Sequence, residues 1–338
     1  MRYRPGVMSG RHHGSHRYRG AGARRWVVVS VVAVAVVALL GAGGLWWTHG
    51  RSAAAPTPSP QRTGAREAAS ASASPTPSCN ADCTQRKRYA AAAAYIDRHG
   101  ATNAYLSVVV TDRSTGKTWR HGPTTHPGWT ASTIKLAMAT DILRRQRAGE
   151  ISLTAANRHD LDTMLNFSDE NASDRLWKAF GGDDQLARFR DVFGMTGLHF
   201  VPGFTDGTYW GFVKCTTDDL GHLMHYVLTR SAPDDRAYLV AAMRGVAPNQ
   251  QWGVWAAGAA NRPGDKDGWS FETDTYGKHW VLNTVGFAGA DERFEVAVMF
   301  QVQPHSTIAY GAHTVSDVCG LLFGVPAPAK ITVPTPDG

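Results

Sequence analysis

The chain has 338 residues, 43% of them hydrophobic, enough for one sizeable domain with appendages. Its formal net charge of +7 comes from seven arginines ahead of residue 26, where no acid stands; the remaining 28 basic and 28 acidic residues balance. A formally neutral body offers no basic surface, and no nucleic-acid partner is expected.

In chain order, residues 1–25 carry Arg2, Arg4, Arg11, Arg17, Arg19, Arg24 and Arg25 and read as a basic cytoplasmic tail. The cluster His12-His13-Gly14-Ser15-His16 reads as part of that solvated arm, and no metal site is expected. Residues 26–47 (WVVVSVVAVAVVALLGAGGLWW) are 22 residues without a charge. Such a run spans ~30 Å of hydrocarbon, with tryptophans at both ends where interfacial rings sit. The arginines before it predict a single-pass signal anchor in the cell membrane, with everything after Trp47 extracellular. A cleaved signal peptide is the rival reading. The run is long for that, and no small-residue cleavage site follows it directly.

Residues 48–84 are rich in Pro, Ala, Ser and Thr and read as an extended spacer. Cys79, Cys83, Cys215 and Cys319 all fall on the outer side. An even count in an oxidising compartment predicts two disulfides, with three pairings open; the spacing does not suit a paired zinc site.

Residues 85–328 read as the folded domain and 329–338 as a C-terminal tail. A helix is expected over 86–99, stopped by Gly100, then a strand over 104–111 and a returning strand over 117–120. Further helices are expected over 154–167, 171–180, 184–193, 217–229 and 233–244. Strands resume over 265–271, 280–287 and 292–302, and a last apolar helix covers 310–323. Strands at both ends with helices between them predict an α+β fold, an antiparallel sheet beside a helical lobe.

Residues 129–145 (WTASTIKLAMATDILRR) carry the chemistry. Thr130 or Ser132 can cap a helix that is apolar on nearly every face, and such a helix belongs in the middle of a domain. Ser132 and Lys135, three apart, share one face of its first turn. Burial disfavours a charged lysine and makes its amine a usable base; free N–H groups at a helix start suit a developing oxyanion. Ser114-Thr115-Gly116-Lys117 has the same S-x-x-K spacing but reads as a turn between strands. It is also no phosphate-binding loop, because Thr111 stands where a glycine is needed.

Two further motifs follow in order. Ser168-Asp169-Glu170 precedes the helical Asn171-Ala172-Ser173-Asp174-Arg175-Leu176-Trp177, and Lys266-Asp267-Gly268-Trp269 opens a strand. With Ala131-Ser132-Thr133-Ile134-Lys135, these motifs resemble the S-x-x-K, S-D-N and K-T-G elements of the acyl-transferring serine hydrolases. That superfamily comprises class A β-lactamases and penicillin-binding D,D-peptidases. The resemblance covers about residues 85–325 and is nearest to compact secreted β-lactamase-like proteins of actinobacteria.

The resemblance implies Ser132 as nucleophile, Lys135 as its base, Ser168 as proton relay and Lys266 as holder of the substrate's negative end. It implies the backbone N–H groups of Ser132 and Trp269 as oxyanion hole, Glu170, Asn171, Asp267, Gly268 and Trp269 as substrate contacts, and no cofactor. Three departures qualify it. Glu170 replaces an asparagine, although Asn171 follows. Asp267 replaces a hydroxyl residue and is expected either to pair with Lys266 or to repel an anionic substrate. Residues 198–215 lack the E-x-x-L-N pattern that deacylates β-lactams and hold only Asp206 as an acid. The expectation is a membrane-anchored hydrolase of a cell-wall peptide or β-lactam-like amide, slow to turn over penicillins. The alternative is a catalytically impaired binding module.

Overall fold

The computed structural model describes residues 79–100, 104–201 and 209–336. The basic tail, the apolar run 26–47, the spacer up to residue 78 and Asp206 lie outside them. Among the described residues, no helix is long and apolar enough to cross a membrane.

Helix α1 (Ala81–His99) starts earlier than its alanine run because the Asn80 side chain accepts from the Cys83 N–H; Gly100 ends it. Strands β1 (Tyr105–Asp112) and β2 (Lys117–His121) form the expected hairpin. Its turn is closed by Ser114 Oγ, which donates to Asp112 Oδ1 at 2.7 Å, so Ser114 serves the turn.

After the short β3 (Gly128–Trp129) comes α2 (Ile134–Arg147), followed by α3 (Ala155–Asn166), α4 (Glu170–Ala179) and α5 (Asp184–Phe193). Strands β4 (His199–Phe200) and β5 (Val213–Cys215) join β3 in a small sheet. Helices α6 (Thr217–Thr229) and α7 (Pro233–Arg244) complete the lobe. Strands β6 (Gly264–Asp274), β7 (Gly277–Ala288) and β8 (Phe294–Gln301) precede the last helix, α8 (Ile308–Phe323).

The main sheet is antiparallel in the order β2-β1-β8-β7-β6, which leaves β6 at an edge. Side chains alternate between its faces. Val296, Val298 and Phe300 pack in one core with α8, whereas Ala297 and Met299 pack in the other with α2 and the helical lobe. Helix α2 is the axis of that second core: every residue from Ile134 to Leu143 is buried, as a helix apolar all round requires. Arg144, Arg145 and Arg147 fill its last turn, where cations complement the helix dipole.

Two expectations need correction. The segment after residue 328 is docked: the buried Ala329 donates its N–H to Asp317 Oδ1. Only one disulfide forms among the described residues, between Cys79 and Cys83. Cys215 and Cys319 are buried free thiols in the two different cores, on opposite faces of the sheet. A bridge needs Cα atoms within ~7 Å, which that separation across the sheet prevents. Burial pushes both thiols well above their ordinary range. Native protein should therefore take up no alkylating reagent at these thiols, and unreduced protein in denaturant should take up two equivalents, counted by intact mass. Uptake of none in denaturant would mean a second bridge.

Candidate active site

The chain enters α2 through a 3₁₀ turn, Ala131–Thr133, and neither Thr130 nor Ser132 caps it with its side chain. The expected cap is replaced by local strain and long-range pinning. Ala131 has φ +46°, a region that costs a non-glycine residue about 1–3 kcal/mol and persists only where surroundings enforce it. The enforcer is Asn283 of β7. Its fully buried amide donates to the Trp129 carbonyl at 2.7 Å and to the Thr130 carbonyl at 3.2 Å. From the other side β6 closes down: a Cβ on Gly268 would lie 2.6 Å from the Ser132 nitrogen and 2.7 Å from the Thr133 nitrogen. No side chain fits there, so glycine is required.

The second motif lies opposite. Ser168 also has positive φ, +58°, and Asp169 caps α4 by accepting from the Ala172 N–H at 2.6 Å. Both lysines converge on Ser168. Lys135 Nζ donates to its carbonyl at 2.7 Å and reaches its Oγ at 3.3 Å; Lys266 Nζ donates to the same Oγ at 2.9 Å and to the Asp267 carbonyl at 2.7 Å. Lys135 and Lys266 are 0% and 1% exposed, whereas Ser132 and Ser168 keep 9% each. The hydroxyls touch the cleft and the amines stand behind them.

Burial is the largest influence on both amines. It pushes Lys135 well down, the Lys266 charge adds to that, and Glu170, Asp169 and Asp174 pull the other way. Burial lowers Lys266 to about 8 against the opposing carboxyls of Asp267 and Asp265. The Trp210 ring lies 4.5 Å from Lys135 Nζ and is held there by Asp174, which accepts from its Nε1 at 2.8 Å. The ring face favours the cation, but the water it excludes works against charge, and burial prevails.

A cleft of about 490 Å³ opens over this group, lined by Ser132, Ser168, Glu170, Asn171 and Trp269 together with Phe167, Asp169, Ser270 and Pro336. Lys135, Lys266 and Gly268 stand behind it. Asp267 is not part of it, which corrects the expectation that it meets the substrate. Alternation along β6 turns Lys266, Gly268 and Ser270 toward Ser132, and Asp265 and Asp267 to the other face. There Asp267 is 1% exposed, with Oδ1 beside Thr284 and packed against Gly253, where a Cβ would lie 2.9 Å from it. Burial, then the neighbouring Asp265, pushes its carboxyl well above the usual range, which favours an uncharged acid. Facing away from the cleft, it is not placed to contact an anion bound there.

Sequence reasoning did not find Asn283, Trp210 or Asp174 as parts of the site. Asp174 lies inside the stretch quoted for the second motif and Asn283 inside the strand expected over 280–287, whereas Trp210 carries no local signal.

Were Ser132 a nucleophile with Lys135 as its base and Lys266 as a charged donor, its acylation would show a bell-shaped pH dependence. The base form of Lys135 is neutral, so the rate rises as pH passes its lowered pKa. The donor form of Lys266 is charged, so the rate falls as pH passes about 8. A rate still climbing well above that pH would contradict these roles.

No protein-family model matches the chain. Over 217 residues it is 30% identical to "Putative lipoprotein LppW" of Mycobacterium tuberculosis and to its Mycobacterium bovis counterpart, a match covering 62% of this chain. The chain spans 66% of the length of these curated relatives. Among solved structures, a β-lactamase from Burkholderia vietnamiensis superposes with a TM-score of 0.56 at 20% identity, covering 69% of this chain and 94% of that one. One from Xanthomonas campestris pv. campestris gives 0.56 at 17%, over 73% and 99%. An ancestral class A β-lactamase gives 0.55 at 18%, over 70% and 98%. With its five-stranded antiparallel sheet and helical lobe, the chain has the class A β-lactamase-like fold and is a distant homologue of the mycobacterial LppW proteins.

Proposed function

We propose that this protein is an extracytoplasmic, membrane-associated serine hydrolase that works through an acyl-enzyme on Ser132. The observation that carries the reading is the meeting of two buried lysine amines at one serine hydroxyl, 2.9 and 3.3 Å away, beside a second serine in an open cleft. A serine hydroxyl is a weak nucleophile without a base. Lys135, with its charge disfavoured, takes the proton as Ser132 Oγ attacks a carbonyl. Ser168, held by both amines, passes a proton to the leaving nitrogen as the C–N bond breaks. Water then attacks the ester and regenerates Ser132. The N–H groups of Ser132 and Trp269 receive the developing oxyanion, and Asn171 contacts the substrate.

The substrate class is a cell-wall peptide or β-lactam-like amide. A location outside the membrane is supported by the apolar run 26–47 behind its arginines and by the name of the mycobacterial relatives. The alternative, a catalytically impaired binding module, leaned on Asp267 and Glu170, and the orientation of Asp267 removes one of those two marks.

Incubation with a fluorescent penicillin, followed by intact mass, tests the reading. Wild type should form one slow, persistent adduct on Ser132, and Ser132→Ala none. Lys135→Ala should acylate ~10²-fold more slowly or worse, the usual loss when a general base is removed. Ser114→Ala should label like wild type. Labelling that survives Ser132→Ala and is lost in Ser114→Ala would overturn the assignment.

A further inference from the structure

Among the described residues, the ionisable side chains that line the cleft are of one sign. Both lysines are behind the serines, with 0% and 1% exposure, and their Nζ atoms are engaged by Ser168 and the Asp267 carbonyl. Asp267, on the far face of β6, does not line the cleft. Among the described residues lining the cleft, the ionisable ones are Asp169 and Glu170. The Asp169 carboxylate is engaged in capping α4. Glu170, the first residue of that helix, is exposed on the cleft wall, two positions from Ser168 and across from Trp269 and Ser270. Asp174 stands behind it, holding Trp210. The exposed Phe167, 61% accessible, adds an apolar ledge on the same wall.

Resting on the reading of Ser132 as nucleophile, we propose that the cleft selects an acyl donor carrying a cationic group, an ammonium above all. Glu170 recognises the cation and Phe167 supports the methylene stem that carries it. An amine on a flexible stem suits such a wall, because the stem lies on the apolar ring while the head stays near the carboxylate and water. A carboxylate in the same place meets Glu170, and no cation among the described residues lines the cleft to balance it. The preference is electrostatic and partly solvent-exposed, so salt weakens it.

Three thiophenyl thioesters of matched stem length test this: those of N-(4-aminobutanoyl)glycine, N-pentanoylglycine and N-glutarylglycine, cationic, neutral and anionic. Their acylation of Ser132 is followed by thiophenol release and intact mass. The cationic ester should react roughly tenfold faster than the anionic one at low salt, a difference of about 1.4 kcal/mol in the barrier. The neutral ester should fall between them. The cationic-to-anionic ratio should shrink in 0.5 M NaCl and drop to within about threefold in Glu170→Gln. Equal rates, a faster anionic ester, or a ratio indifferent to both salt and Glu170→Gln would overturn the inference and leave Ser132 as nucleophile. Failure of all three esters to acylate Ser132 would remove the nucleophile itself, and the inference with it.

Discussion

Two lysine side chains end at one serine oxygen with almost no exposed surface between them, and the site depends on this arrangement. Two ammonium groups so close cannot both keep ordinary basicity: each is desolvated, and the charge of Lys266 further disfavours that of Lys135. The outcome is division of labour, with Lys135 driven further toward its neutral form and Lys266 held nearer the charged one. A base and a donor thus arise from the same residue type, distinguished only by surroundings.

The fold supplies those surroundings. Lys135 is buried because α2 is the axis of a core, and Lys266 because β6 lies directly on the first turn of that helix at Gly268. Asn283 fixes the turn from beneath and Trp210 closes over Lys135 from the lobe. Strain collects where the chain must bring Ser132 and Ser168 to the cleft, at Ala131 and at Ser168 itself. The surrounding core holds both positions in place.

Much of this was legible in the sequence. A helix apolar on all faces has one place to go, and α2 is there. The strands and helices of the domain stood out through their periodicity, and the three motifs came in the order their elements now meet. What was not legible is what depends on tertiary register. Asp267 adjoins Lys266 in sequence, yet neighbours on a strand face opposite ways, so its side chain lies across the sheet from its neighbour's amine. The cysteine count suggested two bridges, but Cys215 and Cys319 belong to cores on opposite sides of one sheet. Asn283 reaches a carbonyl 154 positions away, and no local pattern records that.

The central claim is that burial lowers both amines and that the Lys266 charge drives Lys135 further down. A pH titration of lysine ¹³Cε NMR signals measures it directly, with the two site signals assigned by their loss in single lysine-to-alanine variants. Lys266 should titrate near 8, and Lys135 well below the ordinary 10.5 and higher again when Lys266 is replaced. Two lysines titrating independently near 10.5 would contradict the account.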